Sequence, residues 1–307
     1  MISTVFYWLF NMSVTASVTG IIVLLVRKIK ALPRRVTVFL WIIPFLRMTL
    51  PFGVGSKYSL MSFLNSISKQ SVTYHLVPGS TSSFDISVTN HAGFSVEYFP
   101  VVFKTEPLKG LFGIAGTVWL AGALISVAFI TAAYVRTLAG VRGAKRLERG
   151  VFVSEKVDSP AVYGIFKPKI VVPVSMEDKE LKYILLHEKT HIRKLDNLWR
   201  LAALFVTLLH WFNPLAWVFF KRFTADLEFS CDELVASKLN KEERKEYALS
   251  LVSEAESRQK FVSAFSGSGL KGRINNLLSY RRITFFSGFC FAAVVAVLAF
   301  TLLTNTI

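Results

Sequence analysis

Leu181–Arg193 reads LKYILLHEKTHIR, with two histidines four residues apart and a glutamate directly after the first. On a helix, residues i and i+4 share a face, so His187 and His191 can present two imidazole nitrogens to one metal ion. Glu188 then lies beside the ion, within reach of its bound water. The residue types suit hydrolysis. Neutral imidazoles bind without cancelling the charge of the metal, and the metal lowers the pKa of its water towards ~7. A glutamate takes the proton and passes it to the leaving amine. A polar helix face can spell the same five letters, so the flanking sequence has to decide.

Ser175 with Asp178 three residues later resembles a capping box. Glu177, Asp178 and Glu180 suit the positive end of a helix, and Leu181, Ile184 and Leu185 continue the apolar spacing. The pattern predicts a helix from Met176 to Asp196. Upstream, Gly150–Ser175 contains VFVS and KIVVPV, with PAVYG between them. This predicts a small sheet whose free edge could take an extended peptide by strand addition.

Zinc in a peptidase needs a third protein ligand. Lys194 and Asn197 stand where a metzincin has glycine and histidine or aspartate, which excludes that class. Further on, DLEFSCDELVA places Glu228 four residues before Asp232. A helix over Trp217–Leu239 turns both onto one face. Glu228 is the candidate for a gluzincin-like ligand, with Glu233 and Asp226 as competitors. Asp232 is positioned to accept the N–H of a ligand histidine. Cys231 reads as a small buried hydrophobe turned about 100° from Glu228's next turn. Three readings stand for Asp196, a cap, a partner of Arg200 or a group that orients the site, with the structural ones preferred; His210 reads as structural or interfacial.

Over half of the 307 residues are hydrophobic, with a formal net charge of +16 and a mean hydropathy of +0.47. Such a composition predicts membrane spans. The positive charge then reports cytoplasmic loops rather than nucleic-acid binding, for which basic–aromatic interleaving is lacking. Four spans are read: Thr4–Val26, Val36–Pro51, Leu108–Val135 and Ile283–Leu303. The domains are 1–52 (two spans and a basic loop), 53–107 (an extracytoplasmic loop), 108–135 (the third span), 136–282 (the cytoplasmic peptidase domain) and 283–304 (the last span). The loop RKIKALPRR, the cluster Arg136, Arg142, Lys145, Arg146 and Arg149, and the pair Arg281–Arg282 mark the cytoplasmic side. Both termini then lie outside. The N-terminus lacks a basic n-region and a small-residue cleavage site, so its apolar run reads as a retained span. Leu201–Phe220 is long enough to cross, but Asn213–Pro214 breaks it into a helix–turn–helix, either within the domain or at the membrane interface. Arg47 inside the second span has to snorkel or pair. Cys231 and Cys290 fall in different environments and do not pair.

HEKTH, then HWFNPLAW, then DLEFSCDE, in this order and spacing, resembles the membrane metallopeptidases of the β-lactam-sensing antirepressor (BlaR/MecR) type. SPAVYGIFKPKIVVPVS and the arrangement of spans are similar too. The resemblance covers most of residues 1–304, is most specific over Pro160–Val235 and is weak in the outer loop. It implies one zinc ion per chain on His187, His191 and Glu228, with Glu188 as the general base. It also implies cleavage of the protein's own chain and loss of a repressor by proteolysis, directly or downstream. The β-lactam sensors carry a penicillin-binding domain after the last span. This chain stops at Ile307, so β-lactam acylation is not carried over, and the expectation is a stand-alone relative or a truncated sensor.

The reading is therefore a mainly α bacterial membrane protein: four transmembrane helices and a cytoplasmic α+β, gluzincin-like zinc metallopeptidase domain. Its expected partners are the lipid bilayer and a protein substrate, itself or a cytoplasmic repressor, with a homodimer left open. Arg281–Arg282, between the domain and the last span, is a candidate self-cleavage point. Two other readings stand beside it. One is a non-catalytic receptor or scaffold with a structural zinc, which normally needs four protein ligands where three good candidates are read here. The other is a quality-control membrane metalloprotease, against which the HWFNP block argues.

Overall fold

The HEKTH helix forms over Asp178–Lys194 (here α5) and is followed at once by a second helix, Asp196–Leu209 (α6). Leu195 between them is left-handed, with φ 57° and ψ 33°. The predicted helix was continuous to Asp196; the chain instead turns sharply one residue earlier. A computed structural model describes residues 2–29, 32–50, 56, 58–59, 106–157, 159–164, 167–174, 178–259, 267–280 and 285–304. Ser175 and Glu177, most of the outer segment 53–107, and Arg281–Arg282 lie outside the described residues.

The sheet predicted over Gly150–Ser175 has four strands, β1 (Lys145–Glu148), β2 (Val151–Ser154), β3 (Ala161–Tyr163) and β4 (Lys169–Pro173), in the order β1-β2-β4-β3. The central pair β2–β4 is parallel, from Val151↔Ile170 to Ser154↔Pro173, and both outer pairs are antiparallel. Val151, Ile170 and Val172 pack against Leu181, Leu185 and Ile192 of α5. The opposite side of α5 supplies Tyr183 to a second core with Cys231, Val235, Tyr247, Leu251 and Leu277. That core is built from α7 (Pro214–Ala236), α8 (Lys241–Gln259) and α9 (Gly267–Leu278). So α5 is held between sheet and helices, which bury His187, Glu188, Thr190 and His191 and leave Lys182, Lys189 and Arg193 exposed.

The remaining helices are α1 (Ile2–Val26), α2 (Arg34–Leu40), α3 (Ile42–Thr49), α4 (Glu106–Gly140) and α10 (Phe285–Leu303). Among the described residues two stretches, Ile2–Val26 and Gly110–Gly140, are long and apolar enough to cross a membrane by length and composition, and Gly288–Leu303 is a shorter apolar helix. The predicted second span is not one helix: α2 and α3 are short and break at Trp41. Pro44 in the first turn of α3 has no N–H to continue the hydrogen-bond ladder. Arg47 does not snorkel. It is buried and donates to the carbonyls of Leu302 (2.9 Å) and Thr304 (2.7 Å), capping the end of α10.

The run 201–220 is a helix–turn–helix, with Asn213 as N-cap and Pro214 in the first turn of α7. Asn213 accepts from the N–H of Leu215 and donates to Ser13 (2.7 Å) and Ser17 (2.9 Å) of α1. Trp119 and Trp211 each donate an indole N–H to a carbonyl of the other segment, Leu209 and Trp119 respectively. His210 bonds the carbonyl of Met48 at 2.9 Å. Two glycines permit this approach: a Cβ at Gly122 would meet the Trp211 ring at 2.5 Å, and one at Gly20 would meet Phe219 at 2.1 Å. Ala16, Val23, Leu40, Trp41, Phe219, Phe223, Leu227 and Leu302 then form one core. The apolar helices and the helix carrying Glu228 are thus packed as a single body rather than as separate layers.

Candidate metal centre

The one-turn spacing of His187 and His191 brings their Nε2 atoms to 3.0 Å, with both rings buried. Glu228 reaches in from α7, its Oε2 3.5 Å from His187 Nε2 and 3.6 Å from His191 Nε2. A triangle with these sides has its centre about 2 Å from each corner, the length of a Zn–N or Zn–O bond. The three atoms therefore fit a small divalent cation without rearrangement. Asp226 and Glu233 do not compete. Asp226 binds Arg27 (2.6 Å) and the Trp41 indole (2.8 Å), and Glu233 accepts the backbone N–H groups of Arg34 and Arg35, all from the basic loop between α1 and α2 and its junction with α2 and α3.

Each imidazole is held from behind. His191 Nδ1 lies 2.6 Å from Asp196 Oδ2, and Asp196 is buried. His187 Nδ1 lies 2.7 Å from the Tyr247 hydroxyl, which donates to Asp232 Oδ1 at 2.7 Å. Such partners fix the protonated nitrogen as Nδ1 and turn the lone pair of Nε2 inward. The direct contact predicted between Asp232 and a ligand histidine is 3.4 Å long; Tyr247 carries the interaction instead. Arg273 closes the chain with two bonds to Asp232, at 2.7 and 2.8 Å. Of the three readings open for Asp196, the geometry matches the orienting one rather than the preferred cap or Arg200 pair. The left-handed turn at Leu195 brings its carboxylate back beneath His191, while Arg200 contacts the outer oxygen of Glu228.

The charges ask for a cation at this spot. Burial disfavours the His187 imidazolium, yet Cys231 and Glu228 beside it hold its pKa up at about 10. At His191 burial is likewise outweighed, by Asp196, Cys231 and Glu228, and the value rises to about 12. Burial alone would raise the Glu228 carboxyl, but the two histidines and Arg273 hold it well below the usual carboxylate range. Glu188 goes the other way. Its burial pushes its pKa up, against the pull of both imidazoles, as suits a proton carrier.

Cys231 is placed differently from its expected orientation. Its Sγ and one ring nitrogen from each of His187 and His191 all lie within 4.8 Å of one another. Three residues beyond Glu228 is the adjacent position on a helix face, so both side chains look towards α5. Among the residues now at the site, Arg200, Tyr247 and Arg273 carry no spacing signal in the sequence. Asp196→Asn is expected to keep the fold and weaken zinc binding about 10–100-fold, read by competition with a chelating dye; unchanged affinity removes Asp196 from the site.

Known proteins similar in sequence match over part of this chain. The methicillin resistance mecR1 protein of Staphylococcus aureus strain Mu50 is 29% identical over 128 residues, 40% of this chain and 22% of that protein. The regulatory protein BlaR1 of Bacillus licheniformis is 30% identical over 118 residues, 38% of this chain and 20% of its own length. BlaR1 of S. aureus is 32% identical over 103 residues, 32% of this chain and 18% of its own. The chain thus spans about a fifth of the length of these curated relatives. Over residues 7–285 the sequence matches the profile described as BlaR1 peptidase M56, most of its length. The chain belongs to the BlaR1 peptidase M56 family.

Proposed function

We propose that this protein is an integral-membrane zinc endopeptidase, working at the cytoplasmic face in regulatory proteolysis. The observation that carries the reading is the convergence of His187, His191 and Glu228 on one point, each imidazole anchored through Nδ1, in a chain of a peptidase family. His187, His191 and Glu228 hold the ion, which when bound supplies Lewis acidity and a water of lowered pKa. Glu188 takes the proton of the attacking water and returns it to the leaving amine. The buried Asp232–Tyr247 and Asp196 partners keep the two imidazoles in one tautomer throughout. The outer edge of β3, whose inner edge pairs with β4, offers an extended peptide its backbone groups beside α5.

The basic loop supports the cytoplasmic side. Arg27, Arg34 and Arg35 bind Asp226 and Glu233 on the same helix that carries Glu228. Loops this rich in arginine and lysine stay in the cytoplasm, so the site stays with them. The substrates proposed are the chain itself and a cytoplasmic regulator such as a repressor, in keeping with relatives named as regulatory and resistance proteins. Arg281–Arg282 is the proposed point of self-cleavage. Incubated with zinc in detergent, the purified chain is expected to yield a fragment ending there, identified by mass spectrometry. The fragment should vanish with a chelator and in the variant Arg281→Ala with Arg282→Ala. A chain that binds zinc yet stays intact alone and with unfolded protein substrates favours the receptor reading instead.

A further inference from the structure

Cys231 is fully buried and belongs to the core with Tyr183, Val235 and Tyr247, but polar groups also lie beside it. Its thiol donates to the carbonyl of His187 at 3.5 Å, and its Sγ lies within 4.8 Å of a ring nitrogen of each histidine. Around a tetrahedral zinc, sulfur and nitrogen donors stand roughly 3.5 Å apart. The 4.8 Å limit exceeds that separation by only about 1 Å. Glu228 and Cys231 are neighbours on the face of α7 that packs against α5.

We propose that Cys231 is a fourth protein donor to the metal at His187 and His191, in a closed form of the site that exchanges with an open one. The proposal rests on the metal-site reading above. Two histidines, a glutamate and a cysteine fill a tetrahedron, the coordination of closed sites, whereas hydrolysis needs an open position for water. As the metal–sulfur bond forms, the S–H bond breaks, its proton passes to solvent and one bound water leaves. Withdrawal of Sγ reverses this and opens the site.

The test uses the full chain in detergent, loaded with cobalt in place of zinc. Wild type is expected to bind one equivalent and to show a near-ultraviolet thiolate-to-cobalt charge-transfer band beside the visible bands of a tetrahedral site. Cys290, exposed on α10, is the control. The band should persist in Cys290→Ser and disappear in Cys231→Ser, which keeps its cobalt with about tenfold weaker affinity or worse. Stoichiometric cobalt without the band in wild type overturns the proposal and leaves the metal site standing. No bound cobalt overturns both. The wild-type spectrum decides even if the Cys231 variants fail to fold.

Discussion

Replacing Glu188 with glutamine is expected to leave zinc bound and to lower peptide cleavage by about 10²–10⁴-fold or more. The size follows from what the side chain does. Glutamine keeps the volume of a residue that is only 9% exposed, so packing between sheet and helices survives. The two imidazoles, Asp196 and Tyr247 are untouched, so metal affinity survives too. Only the capacity to accept and return a proton is lost. The raised pKa of Glu188, set by burial, also brings the proton on its carboxyl closer to the working range of a neutral-pH acid–base group. Cleavage at the wild-type rate in Glu188→Gln, measured on the same substrate with zinc content checked in parallel, removes Glu188 from the chemistry.

Glu228→Ala is expected to lose zinc at neutral pH, with affinity falling about 100-fold or more, beyond the effect of losing an orienting partner. Two effects add. A donor is removed, and the cations it neutralised remain. Arg200 contacts one carboxylate oxygen, and Arg273 stands 3.6 Å from the other. Without Glu228 both guanidinium groups face the place where the ion would sit, and their repulsion acts in a partly buried setting where screening is weak. Zinc stoichiometry by elemental analysis after dialysis reads this directly. An unchanged stoichiometry removes Glu228 from the ligand set.

The parts of this architecture that were readable from sequence are those with local causes. The histidine spacing, the break at Asn213–Pro214 and the alternation of VFVS and KIVVPV act within a few residues of themselves. Each corresponds to an element of the structure: α5, the α6–α7 turn and the sheet. The orienting residues were harder because their causes are distant or run against preference. Asp196 reaches His191 through a left-handed leucine, a conformation that costs roughly 1–2 kcal/mol and that no residue preference signals. Tyr247 and Arg273 arrive from α8 and α9 and meet His187 and Asp232 by packing alone. Cys231 is buried as a small apolar residue is expected to be, but only the approach of α5 to α7 sets its thiol near the two histidines. The second apolar stretch shows the reverse case. Its composition suited a span, yet Pro44 divides it into α2 and α3.

Bound zinc and peptide cleavage, measured side by side on the purified wild-type chain, Glu188→Gln and Glu228→Ala, test the peptidase reading most directly. The account predicts one zinc and cleavage in the wild type, one zinc and no cleavage in Glu188→Gln, and neither in Glu228→Ala. A wild-type chain that cleaves at full rate after its metal has been stripped, or a Glu188→Gln chain that cleaves as fast as wild type, would contradict it.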